Sequence, residues 1–385
     1  MCIFLLLMGK FHLSKILNRY HMRFVTLFPD TKNVHLLKDV GMIPYMLHQL
    51  YKVDSYIALY QSNEEYPYLQ NEVKGLKLEF IKKYKAGKII SGLLYLLHKG
   101  KTIDILNIYH LNLASFVWGG LFHKINRRGK IYLKLDMDIK GFHAVFQKNL
   151  VGFIKRQTIR QSDFVSVESR NMQKQLEEQL HRRIFYIPNG YFFGKEIHEN
   201  IVKQHNLLTV GALGTYVKAT DILLEAFATS ADAHDWSLIL VGRVECEFQS
   251  YIKDFFKKYP LLKNRIRFEG QIEERNRLLE IYASSGIFLL PSRSESFGIA
   301  LVEAASQGCY LITTNKVASA IDITNHEKYG KIVKADDVKE MKDAILESVR
   351  LLEEYPEISK TVRAYASKEF KWEEITKRIW EIIEN

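Results

Sequence analysis

Cysteine is scarce in this chain. The 385 residues include three, Cys2, Cys246 and Cys309, and they lie far apart. No pair has the CxxC or CxxH spacing of a structural zinc site, and three separated thiols do not build a disulfide framework. This scarcity favours a protein of a reducing compartment.

Long apolar runs are also lacking near the N-terminus. Residues 3–8 form a short apolar run, whereas a spanning helix needs about 20 such residues. No clear small-residue cleavage site follows, so a signal peptide has weak support. Residues 11–22 mix apolar and basic positions and could lie along a membrane surface. Alternatively, the start is over-extended, and Met22 opens the first strand.

Acidic residues are sparse in the first half of the chain. Residues 1–200 contain 30 Lys and Arg against 16 Asp and Glu, whereas residues 201–385 contain 25 against 28. A basic half suits an anionic membrane surface or a phosphate-bearing acceptor. Nucleic acid ranks below these partners because no recognised nucleic-acid motif is present. A solvated basic surface without any partner is the plain alternative.

Strand patterns alternate with helical patterns along both halves, and there are no internal repeats or low-complexity segments. This alternation predicts parallel sheets covered by helices on both faces. The length suggests two domains of ordinary size. We place a first domain at residues 1–195, a second at residues 196–368 and a terminal amphipathic helix at residues 369–385.

Segment 291–303 carries the strongest signal for chemistry. Its pattern predicts a strand that ends at Pro291, then a polar loop and a helix. The first backbone N–H groups of a helix have no intrahelical acceptor and can bind a phosphate. Here they belong to Phe297, Gly298 and Ile299, which we expect to contact a phosphate of the ligand.

Two carboxylates bracket this helix start. Glu295 lies in the loop and Glu303 lies in the helix, with seven residues between them. One acid can reach the far end of a ligand while the other binds a hydroxyl nearer its middle, which suits a nucleotide sugar. The alternative is an ordinary strand–loop–helix with two solvated acids.

The spacing of Glu295 and Glu303, the Phe-Gly between them and the Ala-rich helix, glycine and strand that follow resemble a known signature. It is the E-x7-E motif of retaining glycosyltransferases of the GT-B fold, family four. The resemblance implies two Rossmann-like doubly wound α/β domains facing a cleft, with the terminal helix crossing back to the first domain. It also implies a nucleotide diphosphate sugar as donor, and neither a metal nor a cofactor.

A second loop of the site follows the strand that ends at Val210. Its position at the carboxyl end of a strand is where open α/β sheets bind ligands. Gly211 and Gly214 allow close backbone approach, and Lys218 can neutralise a departing diphosphate. The loop resembles the family's diphosphate clamp and matches it at Lys218 and Asp221.

This loop also departs from the family pattern. Ala212 stands where an Arg is expected, and Ala219 replaces the usual Gly. Loss of a charge-assisted donor could lower the rate about a hundredfold. Arg243 is a candidate substitute, or else an ordinary exposed Arg. The turn that contains Gly270 resembles the family's loop beside the nucleotide base. Alternatively, it is a plain strand-to-helix turn.

The first domain offers candidates on the acceptor side. Gly41 could bring backbone close to the sugar and acceptor, and His110 follows a strand, where it could act in catalysis or serve a structural role. Asp136 and Asp138 form a D-x-D, which is a metal site in other glycosyltransferases. Because the GT-B resemblance implies metal independence, we expect this pair to contact the acceptor.

These residues predict a retaining glycosyltransferase of the hexosyltransferase type. The resemblance implies that Glu303 binds the ribose, that Glu295 holds a sugar hydroxyl and that Lys218 stabilises the diphosphate. The basic half favours a glycan or lipid-linked acceptor in cell-surface polysaccharide synthesis, and a cytoplasmic protein peripheral to the inner face of the membrane.

Two other functions stay open. Another GT-B chemistry, such as that of a sugar phosphorylase or a nucleotide-sugar epimerase, is the nearest enzyme alternative, although the E-x7-E spacing argues against the epimerase. A non-catalytic scaffold or partner of an active transferase is the other, and Ala212 is the residue that supports it.

Overall fold

The computed structural model describes residues 22–61, 65–193 and 201–384. The apolar run predicted at residues 3–8 and nearly all of the amphipathic segment at residues 11–22 lie outside them. The chain divides into two compact units. The first contains residues 22–192 and 372–384, and the second contains Phe193–Lys371.

A parallel sheet forms the middle of the first unit. Within the described residues its strands are β1 (Arg23–Leu27), β2 (Asp54–Tyr60), β3 (Lys77–Ile81), β4 (Ile105–Tyr109), β5 (Lys130–Leu135), β6 (Phe164–Val167) and β7 (Phe185–Tyr186). They pair in the order β3-β2-β1-β4-β5-β6-β7. The strands β2 and β3 are added on one side of β1, and the strands from β4 onward are added on its other side. The switch point of the sheet therefore lies between β1 and β4, and the loops after these two strands border it.

Helices connect these strands. They are α1 (Asp39–Tyr51), α2 (Pro67–Asn71), α3 (Lys88–Lys99), α4 (Leu113–Ile125), α5 (Ile139–Val145), α6 (Leu150–Arg160) and α7 (Arg170–Leu180). Side chains of Asn112 and Asn149 cap the first turns of α4 and α6 by accepting from Ser115 N at 3.0 Å and Gly152 N at 2.8 Å. Helix α4 contacts both α3 and α6, so these three helices form one layer.

The second unit repeats this architecture. Its strands are β8 (Gln204–Val210), β9 (Ser237–Val241), β10 (Ile266–Gly270), β11 (Ser285–Leu290), β12 (Tyr310–Thr314) and β13 (Gly330–Val333). They are parallel, in the order β10-β9-β8-β11-β12-β13. The switch point therefore lies between β8 and β11, beside the two loops for which we expect donor contacts.

The helices of the second unit cover this sheet. They are α8 (Thr220–Ser230), α9 (Phe248–Lys258), α10 (Arg275–Ser284), α11 (Ile299–Ser306), α12 (Ala320–Ile323), α13 (Val338–Glu354) and α14 (Ile358–Phe370). One apolar core lies against one face of the sheet and joins alternate strand residues, such as Leu207 and Ile287, to helix residues such as Phe227. The predicted fold class, two parallel α/β sheets, is confirmed.

The terminal helix α15 (Trp372–Glu384) belongs to the first unit. Trp372 is fully buried in that unit's core, and Trp380 stacks on Tyr51 of α1 with ring centroids 4.5 Å apart. Large aromatic surfaces buried in this way anchor the helix to the first sheet. Among the described residues, no helix has both the length and the apolar character needed to cross a membrane.

Strand β3 and helices α2, α3 and α5 of the first unit were not predicted from sequence. Strand β3 lies at the edge of the sheet, and Phe80 in it is 55% exposed, so it lacks the apolar signature of a buried strand. Helix α3 exposes apolar residues on its outer side, which blurs the helical period. An exposed edge and an exposed apolar face both weaken the patterns on which such predictions rest.

Candidate functional site

The loops after β8 and β11 meet at the switch point of the second unit and bring two predicted residues together. The ammonium of Lys218 donates to a carboxylate oxygen of Glu295. The side chains are 28% and 23% exposed, so both can be reached by a ligand. Thr215 shapes the Lys218 turn, because its hydroxyl accepts from the Lys218 backbone N–H at 3.4 Å.

Arg293 holds these two loops against each other. Its guanidinium donates to both carboxylate oxygens of Asp221, at 2.8 and 3.3 Å, and also to Asp336. It binds Tyr216 O at 2.7 Å, and the Arg293 backbone N–H donates to Val217 O at 2.8 Å. A bidentate pair fixes geometry as well as charge. Arg293 therefore positions the turn that carries Lys218.

Sequence reasoning missed Arg293 as part of the site. The signal available was its place inside the signature segment, two residues before Glu295. The matched residue Asp221 was singled out, but its partner was not, because 72 residues separate them in sequence.

The helix start predicted to bind phosphate is present. Helix α11 begins at Ile299, and Gly298 precedes it with a φ of 87°, a left-handed conformation that favours glycine. No described residue accepts from the backbone N–H groups of Phe297, Gly298 and Ile299. The Phe297 ring is buried against Phe370, with centroids 6.2 Å apart, so Phe297 offers a ligand its backbone only.

Glu303 lies one turn into α11 and is largely buried, with 16% of its side chain exposed. Burial raises its pKa, and the opposing influences are Arg275, 3.5 Å away, and the Tyr282 hydroxyl, which donates to it at 3.3 Å. These two partners, both on α10, were not predicted. They hold one side of the carboxylate and fix its orientation.

Glycines allow the loops after β8, β9 and β10 to lie close together. A Cβ on Gly242 would lie 1.8 Å from Gly211 O, and Gly242 N donates to Gly270 O at 2.8 Å. A Cβ on Gly214 would lie 2.3 Å from Phe248. The predicted donor-side glycines Gly211, Gly214 and Gly270 are thus placed at one edge of the sheet.

Ala212 and Arg243 lie side by side on this edge. Leu213, next to Ala212, donates its N–H to Arg243 O at 2.9 Å, and both Ala212 and Arg243 are exposed. No hydrogen bond or ion pair of the Arg243 side chain is recorded within the described residues. Ala219 has a φ of 48°, which explains why the family pattern has glycine there.

The acceptor-side candidates lie in the first unit. His110 follows β4 at the switch point, has a φ of 64°, and helps line a cavity of about 160 Å³ between the loops after β1 and β4. Gly41 lies inside α1, where a Cβ would be 2.2 Å from Leu36 O. Close packing of the preceding turn is thus one reason for a glycine there.

Asp136 and Asp138 have different surroundings. Asp138 caps α5 by accepting from Gly141 N at 2.7 Å. Asp136 lies near a buried charged cluster: burial raises the pKa of Asp39, and the charge of Asp136 adds to that rise. Among the described residues, the one grouping with metal-ligand spacing is exposed on the second unit and includes neither aspartate.

That buried cluster centres on Lys134, whose side chain is fully buried at the carboxyl end of β5. Its ammonium lies 2.8 Å from Glu168 Oε1 and 3.6 Å from Asp39 Oδ2. Burial raises the pKa of Glu168, although Lys134 opposes this rise, and the two carboxylates raise the pKa of Lys134 against the effect of its own burial. One ammonium therefore lies between two buried acids. Sequence patterns did not reveal this cluster.

Solved structures of similar shape identify the fold. The Anabaena protein HepE, in complex with UDP, has a TM-score of 0.70 at 15% identity, covering 94% of this chain and 100% of that one. The lipopolysaccharide outer core galactosyltransferase WaaB, in apo form, has a TM-score of 0.70 at 13% identity, with 94% and 99% covered. The two units have the GT-B fold.

Sequence comparison matches part of the chain to a known family. Residues 194–369 match the family model described as Glycosyl transferases group 1. The lipopolysaccharide core biosynthesis mannosyltransferase LpsB of Rhizobium meliloti is 31% identical over 142 residues, which is 35% of this chain and 39% of LpsB. The chain spans less than half the length of the curated relatives it matches.

Proposed function

We propose that this protein is a retaining glycosyltransferase that takes its sugar from a nucleotide diphosphate donor bound to the second unit. The observation that carries the proposal is the Lys218–Glu295 pair beside the uncapped start of α11. A cation, a carboxylate and free N–H groups at one switch point match the parts of a sugar diphosphate. Relatives such as LpsB support the same class.

Each residue has a part in this proposal. When the donor binds, the Lys218–Glu295 ion pair separates. Lys218 then contacts the diphosphate, and Glu295 contacts a sugar hydroxyl. The N–H groups near Gly298 complete the phosphate site, and their fixed dipoles stabilise charge that develops on the leaving group. Glu303 accepts hydrogen bonds from the ribose, and Arg275 and Tyr282 keep its carboxylate oriented.

The reaction proceeds with retention at the anomeric carbon and without a covalent enzyme nucleophile. The departing phosphate accepts the proton of the acceptor hydroxyl, so the protein's task is to position both substrates. Neither a metal nor a cofactor is part of the proposed chemistry. In the first unit we propose Gly41, Asp136 and Asp138 as acceptor-side residues and His110 as a catalytic residue.

The acceptor that fits best is a glycan or lipid-linked glycan of a cell-surface polysaccharide. The excess of Lys and Arg in residues 1–200 favours an anionic membrane surface, and LpsB acts in lipopolysaccharide core biosynthesis. The protein would then be cytoplasmic and peripheral to the inner face of the membrane.

Nucleotide binding tests the donor site. We expect one of UDP, GDP or another nucleoside diphosphate to raise the unfolding temperature, because a ligand at a hundred times its Kd adds about 2.7 kcal/mol of stability. Glu303→Gln should shrink the shift, while Glu280→Gln, an exposed change on the same helix as Arg275, should not. A screen in which no nucleotide stabilises the chain would contradict the proposal.

A substitution at Ala212 distinguishes an active enzyme from a non-catalytic scaffold. Ala212→Arg should raise nucleotide release from the preferred donor by up to about a hundredfold, because a second cation then faces the diphosphate. Ala233→Arg, at another exposed position of the second unit, is the matched control. If neither the natural chain nor Ala212→Arg releases nucleotide from any donor, the non-catalytic scaffold is the better function.

A further inference from the structure

The outer side of the α3–α4–α6 layer exposes large apolar side chains. We call them the apolar face: Leu94 and Leu97 on α3, Leu113 on α4, and Leu150, Val151 and Phe153 on α6. They are between 40% and 73% exposed. Single exposed apolar residues are ordinary, but several on one helical layer mark a surface that contacts an apolar medium or a partner.

Charge on the same layer is of one sign. Residues 80–101, which include α3, and residues 139–162, which include α6, together contain eleven Lys and Arg and no Asp or Glu. Lys82, Lys83 and Lys85 precede α3, and Lys148 precedes α6. The basic excess of the first half of the chain is thus largely placed around the apolar face.

The apolar face lies close to the carboxyl edge of the first sheet. Helices α3 and α6 both begin at the carboxyl edge of the first sheet, because each leads from the end of one strand to the start of the next. His110 lies on that edge. Lys155 on α6 donates to Leu111 O at 3.1 Å, which ties α6 to the His110 loop. The apolar face therefore reaches the edge that carries the acceptor-side residues.

We propose that the apolar face and its basic surround dock onto an anionic lipid bilayer. Leucine, valine and phenylalanine side chains enter the interface between headgroups and acyl chains, and lysines around them contact acidic headgroups. Lysine stems lie along the apolar surface while the ammonium groups stay in water. This rests on the proposed function in one respect only: docking would present a membrane-borne acceptor to the edge that carries His110.

Charge complementarity selects this occupant. A neutral apolar partner would offer no counter-charge to Lys82, Lys83, Lys85 and Lys148, whereas an anionic bilayer supplies both an apolar layer and negative charge over a wide area. An acidic protein partner would need no exposed apolar residues at the tip of α6, where Leu150 is 73% exposed.

Vesicle co-sedimentation of the full chain, without donor, tests the proposal. We expect binding to vesicles of phosphatidylcholine with phosphatidylglycerol and little binding to phosphatidylcholine alone. Rising salt should weaken it, because exposed charges are screened. Leu150→Ser/Phe153→Ser should abolish most of the binding. Val202→Ser/Leu261→Ser, at exposed positions of the second unit, should leave it unchanged.

A charge series separates the basic contribution. Lys82→Gln/Lys83→Gln/Lys85→Gln should weaken binding to the anionic vesicles by about a hundredfold, since each lysine near such a surface contributes about fivefold. The matched triple Lys253→Gln/Lys257→Gln/Lys258→Gln removes the same charge from the second unit and should change little. Equal losses in both triples would mean that net charge alone governs binding and would overturn the proposal.

Insertion itself can be measured. Tryptophan fluorescence of Phe153→Trp should be quenched by brominated lipids in anionic vesicles, whereas that of Leu261→Trp should not. Absence of vesicle binding, or binding without quenching of Phe153→Trp, would overturn the docking surface. Nucleotide-induced stabilisation, measured separately, would still report on the donor site, so the two proposals can fail independently.

Discussion

Lys218→Met is expected to lower nucleotide release from the donor by between about a hundredfold and a thousandfold. Lys218 is a partly exposed side-chain cation at the switch point and can stabilise charge developing on the leaving diphosphate, and loss of one such group has effects of this size. Folding should survive, because a partly exposed ion pair contributes at most about 1 kcal/mol. Initial rates with the preferred donor, beside a denaturation curve, measure both.

The Lys218–Glu295 contact allows a sharper version of this test. If the two residues act on different parts of the donor, Glu295→Gln and Lys218→Met should combine roughly multiplicatively in the double variant. If they only stabilise each other, the double variant should be no slower than either single one. Lys257→Met, which removes an exposed lysine from the same unit, should leave the rate unchanged.

Lys134→Met is expected to reduce the free energy of unfolding by about 3–5 kcal/mol. The change removes the one ammonium that lies between Glu168 and Asp39, and a buried carboxylate without its partner is strongly destabilising. The denaturant midpoint should fall accordingly. Donor binding by the second unit should persist wherever the chain stays folded.

Two variants make the Lys134 result interpretable. Lys130→Met, on the same strand but 56% exposed in its pair with Asp163, should change stability by less than about 1 kcal/mol. Adding Glu168→Gln to Lys134→Met should recover part of the loss, because a neutral amide then replaces a buried acid that has lost its cation. An unaltered midpoint for Lys134→Met would show that the cluster does not need its cation.

Much of the second unit could be predicted from its sequence. The apolar strand before Pro291, the glycine before the helix and the spacing of the two acids are local features, and local features determine strand, loop and helix. The order of strands and helices then places both loops at one edge of a parallel sheet. The α/β class and the position of the signature segment follow from these patterns.

The partners of the site residues could not be predicted in this way. Arg293 binds Asp221 and Asp336, which lie 72 and 43 residues away in sequence. Arg275 and Tyr282 reach Glu303 from a separate helix. Hydrophobic periodicity shows which face of an element is buried, but not which polar groups of distant elements will meet there.

The first unit shows even more clearly the contrast between features that local patterns predict and contacts that they do not. Lys134 lies within a largely apolar strand, but nothing local indicates that a lysine there is fully buried between two acids. The apolar face likewise needed the structure, because a leucine in a helix looks the same whether it packs inward or faces water. The absence of Asp and Glu from residues 80–101 and 139–162, by contrast, can be read directly from the sequence.

The sequence by itself determined the alternation of strands and helices, the chemical signature near residue 300 and the asymmetry of charge, since each depends on neighbours a few residues apart. Only the tertiary structure decided that Lys218 meets Glu295, that Arg293 joins their loops and that Lys134 is buried among acids. Those pairings depend on how distant strands are ordered in a sheet, and that order results from burial of the whole apolar core, which no single segment encodes.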